Sequence, residues 1–280
     1  MLKLIVERPS MPPASSVGLR NSPVQIWRDL TDEVCAYGYA GPGWWSMEWP
    51  RLGTFRFGPA LGSTVEVIPE PGVSVPRLED LYRRSVLPLA LQAVGRETLH
   101  ASAVIGSAGV LAFCGARGTG KSTVAYGLRR RGFEQHADDA LVLTIGDDEI
   151  TTVSLAFAPR LRPDPAQLFG AAADATPAGG GGAAQRLAAI FILRPDVQRD
   201  TAPAIDRLSP TDALPAALAH AHCFDTENPA SRRRLLQNYL EIAARVRILT
   251  VSYRPGLERL ELLLDTILAG AGQPLTPAVV

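Results

Sequence analysis

Residues 110–123, VLAFCGARGTGKST, constrain the fold more than any other part of the chain. A continuous apolar run such as VLAFCG suits a strand buried on both faces. Behind it, STVAYGLRRRG reads as a helix with arginines in its last turn and Gly132 as its stop. Between the two, Gly115, Ala116, Arg117, Gly118, Thr119, Gly120, Lys121 and Ser122 match GxxxxGKS at every required position, with Thr123 next in line. Glycines let backbone amides converge on phosphate oxygens without Cβ clashes, and the N-terminus of the helix turns its positive end toward them. Lys121 supplies an ammonium for the β and γ phosphates, and the Ser122 hydroxyl is placed to hold Mg²⁺. The stretch therefore predicts a Walker A loop between a strand and a helix, in a chain that binds a nucleotide.

Such a loop does not decide where the phosphoryl group goes. Shortly after the loop helix, HADDALVL brings Asp138 and Asp139 to the start of the next predicted strand. Two adjacent carboxylates near a triphosphate repel, so one can stay ionised on a metal while the other takes a proton from an incoming hydroxyl. The same pair equally reads as an Asp-capped turn before a strand. His100 precedes the alternating segment ASAVIG, one strand ahead of the loop, and a sheet can bring it beside the phosphates. His136, His220 and His222 lack the carboxylate and cysteine spacing of a metal site and read as structural.

The remainder divides into two parts, 1–95 and 96–280. All four tryptophans, Trp27, Trp44, Trp45 and Trp49, lie in the first, with the strand-like pieces GTFRFG and STVEVIP, which predicts a small, mostly β domain. RLEDLYRRSVLPLALQAVGR follows as a bridging helix broken at Pro88. In the second part strands and helices alternate, and ALVLTIGDDEITTVS predicts a hairpin turning at Gly146, Asp147 and Asp148, hence a mixed sheet. The glycine-rich segment 170–185 predicts a mobile loop. LAAIFIL and RILTVSY read as strands. Helices are expected at SPTDALPAALAHAH, capped by Ser209, at SRRRLLQNYLEIAARV, with Leu235, Leu236, Tyr239, Ala243 and Val246 on one side, and at GLERLELLLDTILAG.

Acidic and basic residues balance at 28 each, so no global field steers the chain toward nucleic acid or an anionic membrane. Residues 99–116, the one stretch resembling a membrane span, are divided by Gly106, Ser107 and Gly109 into two short runs. The three cysteines, Cys35, Cys114 and Cys223, have no CxxC spacing and read as reduced, mostly buried thiols of a cytoplasmic protein.

The succession LHASAV, GARGTGKSTVAYGLRRRGF and ADD resembles the HPr kinase/phosphorylase group and its shorter bacterial relatives, with fainter similarity in APRLRPDPAQLFG, LAAIFILRPD and the closing RILTVSYRPGLERLELLLDTI. The resemblance implies an α/β fold with a phosphoenolpyruvate carboxykinase-like P-loop core. It implies ATP and Mg²⁺ as cofactors, with Lys121 on the β phosphate, Ser122 and Asp139 at the metal, and Asp138 with His100 handling the proton of an acceptor serine. Two departures point away from HPr itself as substrate: Thr123 stands where that group has a glutamate, and its C-terminal signature is missing. The shorter relatives look like kinases of peptide-modification systems, including those that phosphorylate lasso-peptide precursors. The expected partner is thus a peptide or small protein with an acceptor serine, without nucleic acid or membrane, and a homo-oligomer stays open. A nucleotide-binding regulator without phosphotransfer and a small-molecule kinase are the alternatives.

Overall fold

A computed structural model of the chain describes residues 2–6, 22–29, 31–155 and 183–273. The motif APRLRPDPAQLFG and nearly all of the glycine-rich segment lie outside the described residues. The chain is mixed α/β and forms two compact units, Met1–Arg96 with His222–Leu235, and Glu97–Ala221 with Leu236–Val280. Among the described residues no helix is long and apolar enough to cross a membrane.

In the first unit, β1 (Lys3–Val6), β2 (Gln25–Arg28), β3 (Val34–Gly41), β4 (Trp44–Trp49), β5 (Gly53–Phe57) and β6 (Thr64–Pro69) form a sheet in the order β1-β6-β5-β4-β3-β2. Only β1 and β6 run parallel. Alternation places Phe55 and Phe57 of β5 and Val65 and Val67 of β6 in the interior, as a sheet with one covered face requires. Trp27 stacks on Phe224, Trp45 stacks on Phe57, and Trp49 meets Phe55 edge-on, so these three tryptophans build core, while Trp44 is exposed. The segment His222–Leu235 is fastened here by two glutamines. Gln25 donates to the Cys223 carbonyl and accepts from the Asp225 N–H, and Gln92 accepts from the Phe224 N–H. The helical pattern interrupted at Pro88 becomes α1 (Val75–Leu81), a π-helical stretch Tyr82–Val86 and α2 (Leu87–Ala93). Pro88 follows directly on the π-helical stretch, where the Leu87 N–H reaches back to the Tyr82 carbonyl and the helix is widened around the proline.

In the second unit, β7 (Glu97–Leu99), β8 (Ala101–Gly106) and β9 (Gly109–Cys114) lead into α3 (Lys121–Arg130), followed by β10 (Glu134–Ala137), β11 (Leu141–Ile145) and β12 (Ile150–Val153). Then come β13 (Gln185–Pro195), β14 (Ala204–Arg207), α4 (Pro210–Leu218), α5 (Pro229–Arg245, in this unit from Leu236 onward), β15 (Arg247–Tyr253) and α6 (Leu260–Ala271). The long β13 belongs to two arms of one mixed sheet. Its first residues pair with β12 in the run β12-β11-β7, and its remainder pairs in parallel with β9 on one side and β15 on the other. Beyond β9, β8 and then β10 continue antiparallel. α3 and α6 close over this sheet through Val124, Leu128, Leu260, Leu264, Ile267 and Leu268, which share a core with Phe113, Phe191 and Val251. Arg131, just past α3, pairs with Asp265 at 2.7 Å and with Glu261.

The β8–β9 hairpin, the turn at 146–149 and the Ser209 cap of α4 form where the sequence predicts them. On α5, Leu236 is exposed and Ile242 is buried instead, because the inward face follows Leu235, Tyr239, Ile242 and Val246. Of the three thiols, Cys35 is exposed, Cys223 half-buried and only Cys114 buried. The strand β10 has no counterpart in the sequence reading, since its letters, EQHA, carry no strand pattern.

Candidate active site

The phosphate loop leaves the sheet where β9 ends. Ile192 of β13 pairs with both Cys114 and Thr250, so β9, β13 and β15 reach this edge in register, and the loop opens at their C-terminal ends, where ligands of open α/β sheets bind. Gly115 is buried, and a Cβ there would lie 2.5 Å from Thr119 Oγ1 and 3.1 Å from the Leu193 carbonyl, so only glycine fits. Gly120, with φ 86°, caps α3 in the left-handed region that side chains disfavour. The crest, Ala116 to Gly118 including Arg117, is exposed, and Ser122 and Thr123 are half-buried.

Lys121 is buried and folds back on the loop, donating to the Gly115 carbonyl at 2.9 Å and the Ala116 carbonyl at 3.3 Å. Desolvation lowers its pKa, with Asp139, Cys114 and Asp138 pulling the other way. The ammonium thus occupies the mouth of the loop, held by neutral carbonyls that a phosphate would replace with a stronger, charged partner.

Across from the loop stand the two aspartates, between β10 and β11. At the end of β10, Gln135 pairs with Val104 and Ala137 with Ala103, so His136 is an extra residue in a bulge, and its Nε2 meets Thr152 Oγ1 at 2.8 Å. A bulge re-aims the chain that follows. Asp138, buried, accepts on Oδ1 from Ser122 Oγ at 2.8 Å and from Ser102 Oγ at 2.7 Å. Asp139 has φ 103°, a rare value for a residue with a side chain, and its N–H donates to the Ala101 carbonyl at 3.0 Å. With this backbone, its carbonyl and carboxylate both lie against His100. The His100 Nδ1 lies 3.1 Å from the Asp139 carbonyl and 3.5 Å from its Oδ1, and both side chains are more than a third exposed on this face.

A carbonyl only accepts, so the His100 contact puts the proton on Nδ1 and the lone pair of the neutral ring on Nε2. Desolvation, then Lys121, lower the His100 pKa, against the opposing pull of Asp139 and Asp138, which favours that neutral ring.

All the residues predicted for the site are therefore brought to one edge of the sheet, but their pairing differs from the expectation. The sequence reading joined Asp139 to Ser122 at the metal and Asp138 to His100. The contacts instead join Asp138 to Ser122 and Asp139 to His100, with the His136 bulge and the positive φ of Asp139 setting the backbone there, while both carboxylates act electrostatically on His100 and Lys121. Two further residues stand at this edge that the sequence pattern does not assign to it. Ser102 is a fully buried hydroxyl in an apolar strand, placed opposite Phe113 and so beside the loop. His220, read as structural, accepts the His100 N–H on its carbonyl at 2.8 Å, and its ring is near enough for Lys121 and His100 to depress its pKa further below what desolvation sets.

The Ser122 hydroxyl and Asp138 carboxylate converge as hard oxygen donors of the kind Mg²⁺ takes when phosphates complete its shell. Among the described residues no group of three or more His, Cys, Asp or Glu gathers as a metal cage.

No protein-family model and no curated protein matches the chain. Among solved structures, the HPr(Ser) kinase/phosphatase from Coxiella burnetii is similar to it with a TM-score of 0.36 and 13% identity, over 62% of this chain and 95% of that chain. That likeness is too slight to bear on the site, whose chemistry follows from its own residues.

Proposed function

We propose that the protein is a kinase that transfers the γ-phosphoryl group of ATP to a serine hydroxyl of a peptide or small protein. The observation that carries this reading is a pair of contacts at one edge, Asp138 accepting from Ser122 and Asp139 lying against His100. A loop that only binds and slowly hydrolyses nucleotide has use for the first pair alone. The second is a neutral imidazole, backed by a carboxylate and set beside the loop lysine, which suits a base for an acceptor hydroxyl. The mixed sheet with its β8–β9 hairpin feeding the loop supports the phosphoenolpyruvate carboxykinase-like core that the sequence resemblance implies.

In this mechanism the loop amides and Lys121 hold the β and γ phosphates. Ser122 and Asp138 would hold Mg²⁺, which supplies charge neutralisation on the phosphate oxygens. Ser102 orients Asp138 by donating to its Oδ1. The acceptor serine oxygen attacks the γ phosphorus, the bond to the bridging oxygen breaks, and ADP leaves. The serine proton passes to His100 Nε2, and the resulting imidazolium is stabilised by the Asp139 carbonyl and carboxylate.

Incubation with γ-³²P-ATP and a panel of serine-containing peptides, ribosomal-peptide precursors of the lasso type among them, tests the reading. Label on peptide serine is the expected result. Nucleotide binding without label on any acceptor would favour a regulator, and label on a metabolite alone would favour a small-molecule kinase.

A further inference from the structure

Tyr253 closes β15, opposite Pro195 of β13, with 6% of its surface exposed. Its hydroxyl donates to the carbonyl of Thr119, inside the phosphate loop. Burial pushes the Tyr253 hydroxyl up to about 12, so it is a protonated donor throughout the neutral range. Within Gly115–Lys121 the other hydrogen bonds named for the loop are local: Thr119 donates its N–H and its Oγ1 to the Ala116 carbonyl, at 3.2 and 2.9 Å, and Lys121 donates to Gly115 and Ala116, while Ser122 at the start of α3 reaches Asp138. The Tyr253 contact alone among these ties the loop to a distant strand.

Its consequence follows from the peptide bond. The chain has no cis peptide among its described residues, and in a planar trans peptide the C=O of one residue and the N–H of the next point in opposite directions. Holding the Thr119 carbonyl on Tyr253 therefore sets the direction of the Gly120 N–H. At Gly120 such control matters, because with φ 86° and no side chain the residue can adopt many other conformations. The first bond within α3 runs from the Val124 N–H to the Gly120 carbonyl at 2.8 Å, so the N–H groups ahead of Val124 are the donors that the helix itself does not use.

Resting on the nucleotide-binding reading above, we propose that Tyr253 is a positioning residue of the phosphate loop: it latches the Thr119–Gly120 peptide so that the Gly120 N–H faces the β phosphate of the bound nucleotide. It touches neither the substrate nor the transferred group. Its contribution is equal in the ground and transition states, so it acts on binding and leaves the chemical step alone.

The test is Tyr253→Phe in the full chain, with ATP, ADP and AMP titrated separately. Loss of the latch weakens ATP and ADP alike by about five- to tenfold, the equivalent of one modest hydrogen bond, and leaves AMP unmoved. In turnover, KM for ATP rises by the same factor while kcat stays within about twofold. Unchanged ATP and ADP affinity overturns the proposal, and so does a parallel loss for AMP, which would mark Tyr253 as general packing. Gly120→Ala is the second variant, because it strains the same peptide while keeping the tyrosine. It is expected to weaken ATP and ADP and spare AMP, and normal binding of all three counts against the latch. Lys121→Ala separates the two levels. If it leaves ATP binding intact, the nucleotide reading itself falls, whereas if it abolishes binding while Tyr253→Phe changes nothing, only the latch falls.

Discussion

In the first unit the fully buried side chains include Met47, Phe55, Phe57, Val65 and Val67, with Trp27 and Phe224 stacked at 5.8 Å. Of the polar groups buried in this unit, Gln92 accepts from the Phe224 N–H, the Asp225 carboxylate is hydrogen-bonded by Asn228, and Ser46 lies within β4. In the second unit Lys121, Asp138, Ser102, Thr119 and His136 are buried as well, and four of them stand at one sheet edge. Burying apolar area stabilises, while burying an ammonium or carboxylate costs free energy unless partners offset it. The first unit's interior is thus explained by folding alone. The second unit's is not, and that difference is why the proposed chemistry is assigned to its sheet edge.

The largest effect is expected where the buried charge has no folding rationale. Lys121→Ala lowers phosphoryl transfer on the order of 10³-fold, as removal of a preorganised charge donor does, and weakens ATP binding with it. Steady-state kinetics and nucleotide titration check both. The two aspartate pairs then come apart. His100→Asn lowers transfer by at least ~10²-fold with ATP affinity retained. Asp138→Asn raises the Mg²⁺ concentration needed for half-maximal ATP binding by ~10- to 100-fold. If the metal requirement follows Asp139→Asn instead, the pairing drawn from the hydrogen bonds is wrong.

In the first unit Phe57→Ala is expected to destabilise that unit by about 3–5 kcal/mol, the usual cost of an emptied aromatic site. Protection of its amides against hydrogen exchange falls, and ATP affinity stays where it was. A loss of ATP affinity as large as the loss for Lys121→Ala would erase the division between the units.

The smallest effect is in pH. In the second unit desolvation lowers His100, His136 and His220 from the ordinary 6.5, so the unfolded chain binds more protons there. Their contribution is fully present above 6.5 and is lost as pH falls through the lower folded values. In the first unit desolvation raises Asp225 from 3.8, and its contribution is present below 3.8 and lost as pH rises through the folded value. Hydrogen exchange at successive pH values below 6.5 is expected to show the second unit loosening first.

The strand, loop and helix at VLAFCGARGTGKST were legible because each is specified by neighbouring residues, and so were the hairpin at Gly146 and the cap at Ser209. The different contacts of Asp138 and Asp139 were not. Adjacent identical letters acquire different partners only through a one-residue bulge at His136 and a positive φ at Asp139, and both depend on pairing with a strand some thirty residues earlier. Likewise the passage of residues 222–235 into the first unit rests on Gln25 and Gln92, whose partners are more than a hundred residues away. Ser102 was hidden for a simpler reason, since a lone serine in LHASAV has no pattern until the fold sets it against Asp138.

The central claim is that this edge of the sheet passes a phosphoryl group to a serine, with His100 taking the proton. The most direct measurement is formation of ³²P-phosphoserine from γ-³²P-ATP by the wild-type chain and by His100→Asn, with ATP affinity measured for both. The account predicts labelled serine with the wild type, at least ~10²-fold less with the variant, and equal ATP affinity. Equal labelling by both proteins, or ATP converted only to ADP and free phosphate across the whole acceptor panel, would contradict it.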